Sequence, residues 1–259
     1  MKERPRQRER ERERERESMD ISEEEMLAEL RAISNKSSTS RFERQEKKVV
    51  STTAPTEGDA VSSNGVDFLK SNPEDPVLNQ YWYSQASVEA IAKECKCLMD
   101  SPRSGSNNFT VAFLSTPSIY FALDEAHRQN CFVFDYDKKW EDDRGFVFYD
   151  FNKPLDFDIG LRNSFDLVVI DPPFITREVW EKYSETAVAL LKEPPAFDSK
   201  SGMVIGTTLQ ENAPFLQELL SCRPQKFKPS IPNLPYQYNS YANFSGAKFL
   251  GQTNAEIGE

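Results

Sequence analysis

The chain has 259 residues, with 42 Asp and Glu against 32 Lys and Arg, for a net charge of −10. Such an acidic balance is ill suited to duplex DNA, whose phosphates demand a basic footprint, and better suited to a basic protein or a small ligand. The four cysteines, Cys95, Cys97, Cys131 and Cys222, lack Cys-x-x-Cys spacing and His127 is the single histidine, so no metal site is expected; no apolar stretch reaches the 18 or so residues of a membrane helix. A soluble, cytoplasmic monomer with reduced thiols is expected, with no membrane attachment.

The first 18 residues hold eight Lys/Arg and six Asp/Glu, which leaves 24 against 36, a balance of −12, for the rest. Arg and Glu alternate from Glu9 to Glu17 and offer no apolar face to bury. From Ser34 to about Gly65 the chain is rich in small and polar residues. Residues 1–70 therefore read as a mostly disordered tail. Within it, Ile21 to Ile33 has Met26, Leu27, Leu30 and Ile33 at helical spacing after a Glu-rich turn, and a short amphipathic helix is expected. Residues 71–250 are enough for one compact domain, and 251–259 read as a flexible end.

In the core, Gln85 to Leu98 reads as a helix. Phe109 to Ser115 is a continuous apolar run of the kind found in a central parallel strand. Thr116-Pro117 ends it, and Ser118 to Arg128 reads as a helix with Ile119, Leu123 and Ala126 on one face. Cys131 to Phe134 is the second strand and Gly145 to Tyr149 the third. Phe165 to Ile170 is the fourth. Arg177 to Lys192 is a helix with Val179, Trp180, Tyr183, Ala187 and Leu190 as its stripe. Gly202 to Thr207 is the fifth strand, followed by a helix near Glu211 to Ser221. Lys226 to Lys228 and Tyr236 to Phe244 read as late, antiparallel strands. This alternation predicts a doubly wound, mostly parallel α/β sheet that holds its ligand at the strands' carboxyl ends. A nucleotide-binding domain and a methyltransferase both answer that description.

The most informative residues are Asp171-Pro172-Pro173-Phe174. Two prolines cannot continue a sheet ladder, so the chain leaves the sheet and Asp171 stands at a strand's carboxyl end. An acid, rigid carbonyls and an aromatic ring form a clamp for an amino group. Elsewhere Asp-Pro-Pro is ordinary; its place between an apolar strand and an aromatic ring gives it meaning here. Asp135 and Asp137 close the second strand, where a carboxylate accepts the ribose hydroxyls of an adenosine-containing cofactor. The turn after the first strand, Ser115-Thr116-Pro117-Ser118, lacks the glycines that hold a pyrophosphate, which disfavours a dinucleotide. Asp150, after the third strand, reads equally as an acceptor for an adenine amino group or as a strand-end cap. His127 sits in a helix away from the strand ends and reads as a surface residue.

Taken in order, Gln80-Tyr81-Trp82-Tyr83-Ser84-Gln85, Ser115-Thr116-Pro117-Ser118-Ile119-Tyr120, Phe134-Asp135-Tyr136-Asp137-Lys138, Phe148-Tyr149-Asp150-Phe151-Asn152 with Pro154-Leu155, and Asp171-Pro172-Pro173-Phe174 give a pattern that resembles the eukaryotic elongation factor 1A lysine methyltransferases. These proteins were formerly labelled adenine-specific DNA methyltransferases for the Asp-Pro-Pro-aromatic motif. Ser184-Glu185-Thr186, Asn233-Leu234 and Tyr241-Ala242-Asn243-Phe244 fit as well, and the resemblance runs from Asn79 to Ser245. It implies a Rossmann-like, seven-stranded class I methyltransferase fold. It also implies S-adenosylmethionine as donor and a lysine of elongation factor 1A, a basic protein, as acceptor. Asp171, Pro172, Pro173 and Phe174 would then be catalytic. Trp82, Tyr83, Ser84, Ser115, Thr116, Pro117, Asp135, Asp137 and Asp150 would line the cofactor. An adenine methyltransferase acting on DNA or RNA shares the clamp, but such enzymes commonly carry a basic recognition domain, which is not visible here. The third reading is a methyltransferase fold reduced to a binding module.

Overall fold

The computed structural model describes residues 64–101, 108–198 and 200–257, with side chains from Phe68 onward. The helix expected over Ile21 to Ile33 lies outside the described residues. In chain order the elements are α1 (Asn64–Ser71), α2 (Gln85–Met99), β1 (Val111–Leu114), α3 (Pro117–Ala122), α4 (Glu125–Arg128), β2 (Cys131–Asp135), β3 (Phe146–Phe148), β4 (Leu167–Ile170), α5 (Arg177–Leu190), β5 (Met203–Thr208), α6 (Ala213–Leu220), β6 (Arg223–Pro224) and β7 (Asn239–Ala242).

The strands form one seven-stranded sheet in the order β3-β2-β1-β4-β5-β7-β6. Neighbours among β1 to β5 are parallel, and β7 runs antiparallel to both β5 and β6. Leu114 is aligned with Phe134 on one side and Ile170 on the other. The chain builds outward from β1 to β3, then restarts at β4 on the opposite side. A crevice therefore opens between the carboxyl ends of β1 and β4, where doubly wound sheets bind their ligands.

The apolar runs look continuous because both faces of the sheet are covered. Successive side chains still point to opposite faces. Val111, Phe113, Leu167, Val169 and Ile205 pack with Val88, Ile91, Ala92 and Cys95 of α2. Ala112, Leu114, Val168, Ile170 and Val204 pack with Val179, Trp180, Tyr183, Ala187 and Leu190 of α5 and with Leu216 and Leu220 of α6. The helices contribute residues at three- and four-residue spacing, the period of one helical face.

Two expectations need correction, and further contacts lie beside the boundaries expected at 71 and 250. The helix read over Ser118 to Arg128 is two helices, because Leu123 is extended and the Asp124 carboxylate accepts from the His127 amide at 3.1 Å, starting a new turn. The strand expected over Lys226 to Lys228 is displaced to the two-residue β6. Phe227 instead donates its amide to the Leu250 carbonyl and accepts from Ser240. Ordered structure begins before residue 71: α1 buries Phe68 against the rings of Trp82, Phe121 and Trp140, with centroids 5.3 to 5.4 Å apart. The stretch after 250 is anchored as well. Asn254 is buried and bonds the Lys228 carbonyl at 2.9 Å. Just before it, buried Glu94 of α2 accepts the amides of Lys248, Phe249 and Leu250. Among the described residues no helix is long and apolar enough to cross a membrane, and no cluster of His, Cys, Asp and Glu could hold a metal.

Candidate active site

The Asp171 amide donates to the Leu114 carbonyl at 3.2 Å, one step beyond the last paired residues of β1 and β4. Pro172 and Pro173 then end the ladder. The Asp171 carboxylate is partly buried, and its Oδ1 accepts from Thr207 Oγ1 at 3.0 Å. Thr207, on β5, is in turn 2.5 Å from the hydroxyl of Tyr83. Burial pushes the Asp171 carboxyl up to about 7, while bonds from Tyr83 and Thr207 hold it back. The Pro173 carbonyl accepts from Asn79 Nδ2. Phe174 meets the Phe151 ring edge-on at 6.1 Å, and Phe151 stacks on Tyr183.

Across the crevice, Asp135 ends β2. It is 6% exposed, and its Oδ1 accepts the Asp137 amide at 2.8 Å. Burial raises this carboxyl too, to about 7. Between the two acids stands Tyr183 of α5, whose hydroxyl lies 2.6 Å from Ser115 Oγ. Burial holds the Tyr183 phenol neutral, and it feels both Asp135 and Asp171. Ser115 adopts a positive φ of 54°, the backbone shape that glycine supplies in other cofactor turns. A serine can take that shape for about 1 kcal/mol, and here its hydroxyl gains a partner that glycine could not offer. Thr116 follows, buried, with no partner for its Oγ1 among the described residues, and Pro117 opens α3.

The expected site residues therefore divide. Asp171, Pro172, Pro173, Phe174, Tyr83, Ser115, Thr116, Pro117 and Asp135 gather around the crevice. Asp150 follows β3 and accepts the Asn152 amide at 2.9 Å, as a turn cap does. Asp137 remains at its strand end, but its carboxylate is taken by Lys139 at 2.7 Å and by Gln80 at 3.3 Å. Burial alone would raise it; these bonds outweigh burial and lower it. Trp82 and Ser84, expected at the cofactor, make their polar contacts with other groups. The Trp82 indole packs on Phe68 and donates to the Asn72 carbonyl at 2.9 Å. The Ser84 hydroxyl caps α2 through the Ser87 amide and bonds Glu256. Thr207, Tyr183 and Asn79 were not singled out as site residues. Tyr183 was assigned to an apolar stripe, although a buried tyrosine must find a partner for its hydroxyl.

The residues present fit an adenosine-bearing ligand without phosphates. A buried carboxylate ends β2, the turn after β1 carries an unpartnered buried hydroxyl, and that turn offers no glycine cradle. The family model described as "Probable N6-adenine methyltransferase" matches residues 74–246. The Saccharomyces cerevisiae protein-lysine N-methyltransferase EFM5 is 30% identical over 204 residues, 73% of this chain and 79% of that protein. The human EEF1A lysine methyltransferase 1 is 32% identical, over 67% of this chain and 77% of its own length. Its mouse counterpart is 33% identical, over 64% and 73%. The chain belongs to the elongation factor 1A lysine methyltransferase family. It is a protein-lysine methyltransferase, and its sheet is that of a Rossmann-like class I methyltransferase. The adenine label and the lysine names share one piece of chemistry, a methyl acceptor that is a nitrogen bearing N–H.

Proposed function

We propose that the enzyme uses S-adenosylmethionine to methylate a lysine of a basic cytoplasmic protein, with elongation factor 1A as the first candidate, and that it acts as a monomer. The reading is carried by the Asp171 carboxylate, partly buried at the switch point of the sheet and facing Asp135 across Tyr183. The names of the relatives favour the acceptor.

Bound in the crevice, S-adenosylmethionine would supply an electrophilic methyl carbon on a sulfonium. Asp135 would accept its ribose hydroxyls, the Ser115-Thr116-Pro117 turn would border it, and Asp150 would take the adenine amino group. On the acceptor side, Asp171 and the Pro172 carbonyl receive the two N–H bonds of the amine, which leaves its lone pair free to attack. Phe174 packs against the lysine stem. A free lysine has a pKa of about 10.4, some three units above the Asp171 carboxyl at about 7. Moving the proton to Asp171 thus costs about 5 kcal/mol before the amine is desolvated, and burial of the lysine reduces that figure. An ordinary carboxyl near 4 would roughly double the gap. The raised value is therefore useful for taking the proton.

The test offers labelled donor to purified elongation factor 1A, to whole lysate protein and to nucleic-acid fractions. Label in lysine, lost in Asp171→Ala, supports the reading. Label in adenine with none in protein overturns it.

A further inference from the structure

The acceptor clamp does not end at Asp171. Thr207 Oγ1 has one proton and gives it to Asp171 Oδ1 at 3.0 Å. The same oxygen lies 2.5 Å from the Tyr83 hydroxyl, and Tyr83 also bonds the Asp171 carboxylate. Both hydroxyls are thus tied to the one carboxylate. Both outer members are held rigidly. Thr207 is buried in β5 and registered opposite Ser240 of β7. Tyr83 is buried and immediately precedes Ser84, the cap of α2. The groups facing Asp171 from the surrounding elements are Tyr83 before α2, Thr207 on β5, Tyr238 before β7 and Tyr183 on α5.

We propose that Tyr83 and Thr207 are positioning residues for methyl transfer: their linked hydroxyls set the orientation of the Asp171 carboxylate and keep it charged to receive the acceptor amine. The inference rests on Asp171 meeting that amine. Two consequences follow. Hydrogen bonds to the anion favour it against burial, so the chain poises Asp171 between a permanently ionised and a permanently neutral acid. Oδ1 accepts from Thr207, so a proton released by the lysine goes to Oδ2. The N–H bond breaks, the O–H bond forms on Oδ2, and the amine lone pair is left for the methyl carbon.

Thr207→Val keeps the shape of the side chain and removes the hydroxyl. In the full-length enzyme it should move the acid limb of the kcat/KM profile upward by about one pH unit. It should lower kcat at neutral pH about tenfold with little change in KM, and leave donor binding by calorimetry within about twofold. Thr207→Ser should restore the parent profile. Tyr83→Phe should shift the limb the same way, since it too removes a hydroxyl that bonds the carboxylate. The ¹³C titration of the Asp171 carboxyl should rise in step in both variants. An unmoved carboxyl midpoint in both variants overturns the proposal. A midpoint that rises while the acid limb stays fixed leaves the hydroxyl chain standing, and it removes Asp171 from control of the rate.

Discussion

Burial holds the Asp171 carboxyl at about 7 against an ordinary 3.8, so the folded protein takes up a proton there between those values. The folded pKa lies above the unfolded one. The favourable contribution is therefore complete below about pH 4 and is lost as pH rises through about 7. The shift corresponds to at most about 4 kcal/mol, and part of it is offset by solvent at this partly exposed group. Asp171→Asn removes the titration. It should stabilise the protein by about 1–3 kcal/mol at pH 8 and hardly at all at pH 4, while abolishing most methyl transfer. Denaturant melts at the two pH values check this, and an equal difference at both would remove burial as the cause. In the proposed mechanism Asp135, raised for the same reason, serves the donor instead. Donor affinity should fall as pH drops below about 7, because a protonated Asp135 accepts the ribose hydroxyls less well, and Asp135→Asn should flatten that dependence. Asp171 was legible in the sequence because two prolines and an aromatic ring mark a strand end. Thr207 was not, because a threonine at the end of an apolar strand is also what any β-strand favours.

The strands could be read from their apolar runs, but the sheet's order could not, because β4 pairs with β1 rather than with β3 and β7 lies between β5 and β6. What the runs also could not show is where short polar side chains take over backbone groups. Asp124 splits a helix in this way. Buried Glu94 does it across 154 to 156 residues of chain, which no local pattern reveals. The same limit bears on the boundary expected at 71. Phe68 follows a long polar stretch, and its partners Trp82, Phe121 and Trp140 are distant in sequence. Phe68→Ala should cost about 3 kcal/mol, in the range of buried aromatic truncations. A chain starting at Ser71 should lose a similar amount, whereas one starting near Ser63 should keep the stability and turnover of the full chain. Thermal melts of the three proteins decide the boundary. Trp82 was expected at the cofactor, with Tyr83 and Ser84, because the three precede the helix that leads into the first strand. In an extended segment successive side chains point in opposite directions, so one of Trp82 and Tyr83 had to face away.

At the scale of the molecule, charge separates acceptors that the clamp alone treats alike. Beyond the first 18 residues the chain carries −12. That field draws in a basic protein and repels a polyphosphate, and it does so over distances that salt screens. The methyl donor is small and is gripped inside the crevice, so its binding has little long-range character. Raising ionic strength from about 0.05 to 0.5 M shortens the screening length from roughly 14 to 4 Å. Turnover on a basic protein acceptor should then lose about tenfold in kcat/KM, mostly through KM, while donor affinity changes by less than about twofold. A short lysine peptide of no net charge should show almost none of this loss, because only the local clamp acts on it. If the intact acceptor and the neutral peptide respond to salt alike, the acidic surface plays no part in choosing the substrate, and recognition lies wholly in the contacts around Asp171.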